Sequence, residues 1–146
     1  MKVTILCEGR INKGPERELC EMYQKRINLI KKSGFSSFNI KHSTAKEIIK
    51  IIKEKNVHKK ILILSEEGKL YSSTEFTQMI LKNLNNNIKD LYLLIGKPEG
   101  VSMQPANCEK ISLSKLTFSH SLSRVILCEQ FYRCATIVTN HPYHKY

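Results

Sequence analysis

Three short segments combine residue types that could build a ligand site: Leu64-Ser65-Glu66-Glu67-Gly68, Gly96-Lys97-Pro98-Glu99-Gly100 and Ser114-Lys115-Leu116-Thr117-Phe118-Ser119-His120. In the second, Gly96 and Gly100 lack a Cβ and let backbone approach a ligand closely, while Pro98 stiffens the turn between them. The same residues would also serve as a plain connection between elements, so their place relative to the sheet decides their meaning. Other chemistries find no support. There is no G-x-G-x-x-G, no G-x-x-x-x-G-K-[ST] and no G-x-S-x-G, which disfavours a dinucleotide enzyme, a P-loop NTPase and a serine hydrolase. The cysteines Cys7, Cys20, Cys108, Cys128 and Cys134 contain no C-x-x-C pair, and the five histidines lack ligand spacing, so buried thiols and no metal are expected.

The elements that must position these segments follow from the apolar pattern. Residues 3–7 read as a strand and 15–30, with Leu19, Met22, Tyr23, Ile27 and Ile30 at helical spacing, as a helix. A strand over 35–40 follows, then a capping box at Thr44 to Glu47 that opens a helix over 44–55. Residues 60–64 and 91–95 are apolar without alternation, as in parallel strands covered on both faces. A second capping box, Ser72 to Glu75, opens a helix over 72–85, and a short strand at 111–113 precedes a long helix over 120–139. Such alternation predicts an α/β fold with a mostly parallel sheet flanked by helices, in one domain spanning residues 1–146. In an open parallel sheet, ligands bind at the carboxyl ends of the strands, where two of the three segments fall; the third leads into the last helix.

Charge narrows the class of partner. The chain carries a formal net charge of +11, and the excess is uneven: residues 1–60 hold 15 Lys/Arg against 6 Asp/Glu, residues 61–146 only 9 against 7. That asymmetry suits a protein that holds a polyanion at one end and keeps a less charged site for chemistry. Its 19 lysines against 5 arginines also fit a simple compositional bias. Without a long apolar run or a basic, aromatic-rich amphipathic segment, no membrane association is expected, and the localisation expected is cytoplasmic.

Four ordered stretches carry a more specific signal: residues 91–100 (LYLLIGKPEG), 113–120 (LSKLTFSH), 124–133 (RVILCEQFYR) and the terminal Asn140-His141-Pro142-Tyr143-His144-Lys145. Together they resemble the RlmH family, small SPOUT-class methyltransferases that modify N3 of a pseudouridine in 23S (large-subunit) ribosomal RNA. The resemblance runs in register through residues 60–146 and more loosely through the first strand and helix. It implies a C-terminal trefoil knot, a homodimer with the knot at the interface, and ribosomal RNA, in the large subunit or the assembled ribosome, as partner. It also implies S-adenosylmethionine as cofactor, held in the knot loops by Leu64, Gly96, Leu113, Ser114, Lys115, Leu116, Thr117 and Phe118. Mostly backbone and apolar groups would hold the adenine, so no charged fingerprint is expected. The sequence departs from the family pattern at Lys97, where a second glycine is usual, at Ser65, where an acid is common, and at Ser119, where proline usually precedes the histidine. Lys97 could crowd the cofactor or turn its charge toward RNA.

In such a transfer the sulfonium already activates the methyl group, and alignment of nitrogen, carbon and sulfur does most of the remaining work. The N3 proton must leave, which makes His120, His141, Tyr143 and His144 candidates for a general base or for orienting donors. For each alone, a helix start or a solvated tail competes with that role. The resemblance favours the tail as a group, since Tyr143 and His144 recur in it, and the final residues are expected to stand free to meet the RNA. On the last helix, Glu129 and Arg133 form either a structural i,i+4 pair or, through Arg124 and Arg133, a phosphate or dimer contact. The apolar breadth of that helix (Leu122, Val125, Ile126, Leu127, Phe131, Cys134, Ile137, Val138) points to burial by a second subunit. Two alternatives stand beside this reading: a knotted methyltransferase acting on transfer RNA, and a ribosome-binding module that has lost catalysis.

Overall fold

A computed structural model describes residues 1–97 and 108–145. Strands β1 (Lys2–Glu8), β2 (Ser37–Ser43), β3 (Lys59–Leu70), β4 (Asp90–Ile95) and β5 (Glu109–Ser112) alternate with helices α1 (Pro15–Leu29), α2 (Ala45–Lys53), α3 (Ser73–Asn85) and, after β5, α4 (His120–Val138). The strands form one sheet in the order β2-β1-β4-β3-β5, and every pairing is parallel. The expected α/β class is met, with β1, β4 and β3 in the interior.

Register sorts the side chains between two layers. Leu62, Leu93 and Ile5 stand abreast on the face that also carries Val3, Cys7, Leu91 and Ile95, and this face packs on α1, α3 and α4. Leu6, Leu94 and Ile63, one residue along each strand, point the other way and meet Ile48 of α2. Phe131 of α4 anchors the larger core, with the rings of Phe38, Phe76 and Phe35 at 5.3, 5.3 and 6.1 Å. Both capping boxes form: Thr44 and Ser72 accept from the backbone of Glu47 and Glu75, whose carboxylates reach back to the cap amides. Each satisfies amides that a helix start otherwise leaves open.

Two strands run further than their apolar runs. β2 begins at Ser37 rather than at 35 and continues through Lys41-His42-Ser43, because those polar residues pair with Leu6, Cys7 and Glu8 of β1. At its other side the Asn28 carboxamide both donates to and accepts from the backbone of Phe38, at 2.9 and 2.8 Å. β3 passes its expected end at Leu64 and reaches Leu70. Ile111 of β5 stands opposite both Leu64 and Lys69, so the chain between them, Ser65-Glu66-Glu67-Gly68, is thrown out of the ladder. Gly68 makes this detour possible: a Cβ there would lie 2.3–2.6 Å from the backbone of Ile111.

Candidate active site

The detour in β3, the end of β4 and the chain from β5 to α4 converge on one cavity of about 390 Å³ at the carboxyl edge of the sheet. Of the residues expected to hold a cofactor, Leu64, Gly96, Leu113, Ser114, Leu116, Thr117 and Phe118 line it. Lys115 does not; it is exposed on the outer side of its loop. His120, the first residue of α4, lines the cavity, whereas His141, Tyr143 and His144 do not. Ile95, Ser112 and Ser123 complete the wall without having been singled out, and they had no signal of their own because each is an ordinary member of a strand or helix. Lys97 lies at the cavity with its side chain exposed. The rest of that glycine-bounded turn, Pro98 to Gly100, lies outside the described residues.

Hydroxyls brace the loop. Ser112 donates to the carbonyl of Ser114 at 3.0 Å, and the Ser114 hydroxyl accepts from the amide of Leu116 at 3.0 Å. Ser119, where proline would be usual in the resembling family, is the N-cap of α4 and accepts from the Leu122 amide at 3.3 Å. The departure is therefore compatible with starting the helix at the same place. Glu66 and Glu67 face the cavity from the β3 detour, opposite Lys97 and Lys110, and Glu67 lies 3.9 Å from the Lys110 ammonium. The walls thus mix apolar side chains (Leu64, Ile95, Leu113, Phe118) with buried serines (Ser112, Ser123) and exposed charges.

The tail is docked on its own chain, which corrects the expectation that it stands free. α4 stops as Asn140 takes a left-handed φ of 54° and the His141 amide donates to the carbonyl of Thr136 at 2.9 Å. The Tyr143 amide then donates to Nδ1 of His141 at 3.3 Å, turning the chain back along the helix. Glu129 receives three donors: the Tyr143 hydroxyl at 2.9 Å, Nη2 of Arg133 at 2.5 Å and Nε2 of Gln130 at 2.7 Å. The Tyr143 ring packs edge-on against Tyr132 at 4.7 Å and beneath the Arg133 guanidinium at 4.9 Å. Arg133 also lies 3.1 Å from Nδ1 of His144. A guanidinium only donates, so Nδ1 of His144 is the acceptor in this contact.

These contacts set the chemistry of the tail. Burial, reinforced by the hydrogen bonds to Glu129 and Tyr23, pushes the Tyr143 phenol well above its ordinary value, so it is protonated at neutral pH and acts as a donor. Arg133 is held even more firmly charged, chiefly by its hydrogen bond to Glu129. The i,i+4 pair is therefore the floor on which the tail rests. Glu129 and Arg133 lie nine and thirteen residues after His120, roughly 13–20 Å along the helix axis. Within one chain, the cavity and the tail cluster occupy separate places. No group of three or more metal-ligating side chains occurs among the described residues, and no helix among them is long and apolar enough to cross a membrane.

Comparison with known proteins agrees with this arrangement. The family described as "Predicted SPOUT methyltransferase" matches residues 1–144. A protein of Mycoplasmopsis synoviae named Ribosomal RNA large subunit methyltransferase H is 36% identical over 99% of this chain and 100% of its own length. Proteins of the same name from Afipia carboxidovorans and Christiangramia forsetii are each 32% identical over 99% of both chains. That family implies the C-terminal knot expected from the four motifs, and it makes the chain an enzyme. On a match that leaves out only the final two residues, this protein belongs to the SPOUT methyltransferase family.

Proposed function

We propose that this chain, acting as a single domain, transfers the methyl group of S-adenosylmethionine to N3 of a pseudouridine in large-subunit ribosomal RNA. The observation that carries the reading is the cavity that gathers seven of the eight residues expected to hold the cofactor, in a family of methyltransferases whose relatives bear the name of a large-subunit RNA enzyme. The residues fit the cofactor. A volume of about 390 Å³ falls within the range of small-molecule pockets, roughly 300–1,000 Å³. Leu64, Ile95, Leu113, Leu116 and Phe118 supply apolar surface for a purine, and the backbone of the 113–118 loop supplies its polar contacts. Glu66 and Glu67 supply negative charge for the cationic end.

When bound, S-adenosylmethionine supplies a methyl group already activated by a sulfonium. The chain's own task is then to hold the acceptor in line and manage one proton. His120, beside the cavity, is the side chain of that kind nearest the cofactor loops. Tyr143, whose one hydroxyl hydrogen is given to Glu129, meets the N3–H of the acceptor as a hydrogen-bond acceptor, while His144 contributes once its Nδ1 is released from Arg133. Because cavity and tail are separated along α4, a homodimer completes the site by bringing one chain's tail to the other's cavity. The exposed Leu122 and half-buried Val125, Ile126, Ile137 and Val138 of α4 offer the surface for it. A ribosomal RNA partner supports a cytoplasmic localisation.

Transfer of labelled methyl from S-adenosylmethionine to purified large subunits, assembled ribosomes and transfer RNA tests this directly. Label should enter large-subunit RNA at one pseudouridine in one or both ribosomal samples, and not transfer RNA. Label in transfer RNA alone would assign the other substrate. Cofactor binding without transfer to any of the three would leave a binding module.

A further inference from the structure

A second cavity, of about 500 Å³, opens over the carboxyl ends of β1 and β2 and the start of α1. Its wall carries Arg10, Lys13, Arg17, Lys41 and His42 against a single acid, Glu21, which Arg17 occupies at 3.0 Å. Among the described residues, Arg10, Lys13 and Lys41 form no ion pair, and all three side chains are exposed. Nδ1 of His42 is bonded to the carbonyl of Gly9, which ties the end of β2 to the turn after β1. Uncompensated charge in a concave wall is costly to keep unless an anion visits it.

Arg124 of α4 adds an independent sign. It is only 8% exposed, yet among the described residues it has no carboxylate partner. Its Nη2 reaches the Arg10 carbonyl at 3.5 Å, its side chain also bonds the Cys7 thiol, its charge acts on Cys20 of the same wall, and among the described residues its buried Nε has no hydrogen-bond acceptor. Burying a guanidinium without a carboxylate partner is unfavourable, and the cations of the neighbouring wall raise the potential further.

We propose that this wall grips the phosphodiester backbone of the RNA strand that carries the acceptor base. The assignment rests on the RNA-methylation reading above and names the surface that holds that substrate. Backbone recognition is favoured because four cations, Arg10, Lys13, Arg17 and Lys41, line the cavity, whereas among the described residues no Phe, Tyr or Trp does. β1 lies between β2 and β4, so the wall is one or two strand spacings, roughly 5–10 Å, from the Gly96 edge of the cofactor cavity. A strand laid across Arg10, Lys13 and Lys41 therefore presents a neighbouring nucleotide to the methyl-transfer site.

The test compares two triple variants of equal charge loss. Arg10→Ala/Lys13→Ala/Lys41→Ala removes the wall, whereas Lys46→Ala/Lys50→Ala/Lys53→Ala removes three exposed lysines of α2, on the other face of the sheet. Binding to purified large subunits and to their protein-free RNA is measured by filter retention from 50 to 200 mM salt, with cofactor affinity followed by calorimetry. The wall variant should bind both RNA samples roughly 10–100-fold more weakly at 100 mM salt, with a salt slope shallower by about 2–3, at unchanged cofactor affinity. The α2 variant should bind nearly as the parent does, and Lys13→Arg/Lys41→Arg should retain binding. Equal weakening by both triples would overturn the assignment in favour of diffuse net charge. Loss on intact subunits but not on protein-free RNA would overturn it in favour of a ribosomal-protein contact. Failure of the parent protein to methylate any ribosomal RNA would instead remove the reading on which the assignment rests.

Discussion

The cavity at the sheet edge and the cluster on α4 are built in opposite ways. The cavity is made of chain turns: a detour of β3 that Gly68 permits, the buried Gly96 at the end of β4, and a loop braced by serine hydroxyls. The cluster is made of side chains, with Tyr143, Arg133 and Gln130 converging on one carboxylate and His144 bonded to Arg133. Backbone selects a ligand by shape, so its failure should appear as lost affinity. Paired side chains fix protonation and direction, so their failure should appear as lost rate.

Removal of residues 143–146 should have the largest effect: a fall in methyl transfer of roughly 10²–10⁴, the range for an acid–base or orienting group, at unchanged cofactor affinity. Since Tyr143 also packs on Tyr132, His144→Ala is the companion variant that keeps that packing. Normal turnover in both proteins, measured at saturating RNA, would leave the tail as packing alone. Gly96→Val should do the reverse, weakening cofactor binding by about 100-fold or more in calorimetry while the α4 cluster and thermal stability stay near those of the parent. Unaltered affinity would move the site away from β4.

Gly68→Ala comes next. A methyl group placed 2.3–2.6 Å from the Ile111 backbone must push β3 and β5 apart, costing about 1–3 kcal/mol in denaturant unfolding and weakening the cofactor with it. Stability equal to the parent's would show that the two strands tolerate a wider spacing. Ser119→Ala should be mildest, losing about 1 kcal/mol of stability through the missing cap, with a small secondary change at His120. A variant as stable as the parent would mean that solvent caps the helix equally well.

Much of this was legible in the residues. The two capping boxes announced α2 and α3, and the unbroken apolar runs announced the interior strands. The turn residues after those runs pointed to the cavity, because the carboxyl edge of a parallel sheet is where loops can converge. The continuation of β3 was hidden: Ser65-Glu66-Glu67-Gly68 has no strand pattern, and the constraint on Gly68 comes from Ile111, a neighbour only in space. The docking of the tail was hidden for a similar reason. Glu129 and Arg133 satisfy each other at i,i+4 spacing, and nothing local reveals that the same carboxylate also accepts from Tyr143. Lys115 illustrates the opposite error, since a loop that lines a cavity must also turn some residues away from it.

Asn28 has a wider consequence. By bonding to both polar groups of Phe38, its carboxamide takes the place of a sixth strand along the open side of β2. A sheet margin treated in this way offers a poor template to another chain's extended segment, and the adjoining Lys41 and His42 discourage apolar partners there. Edge-to-edge pairing at this point of the margin is thereby disfavoured relative to association through helical surfaces, where a two-fold pairing closes on itself.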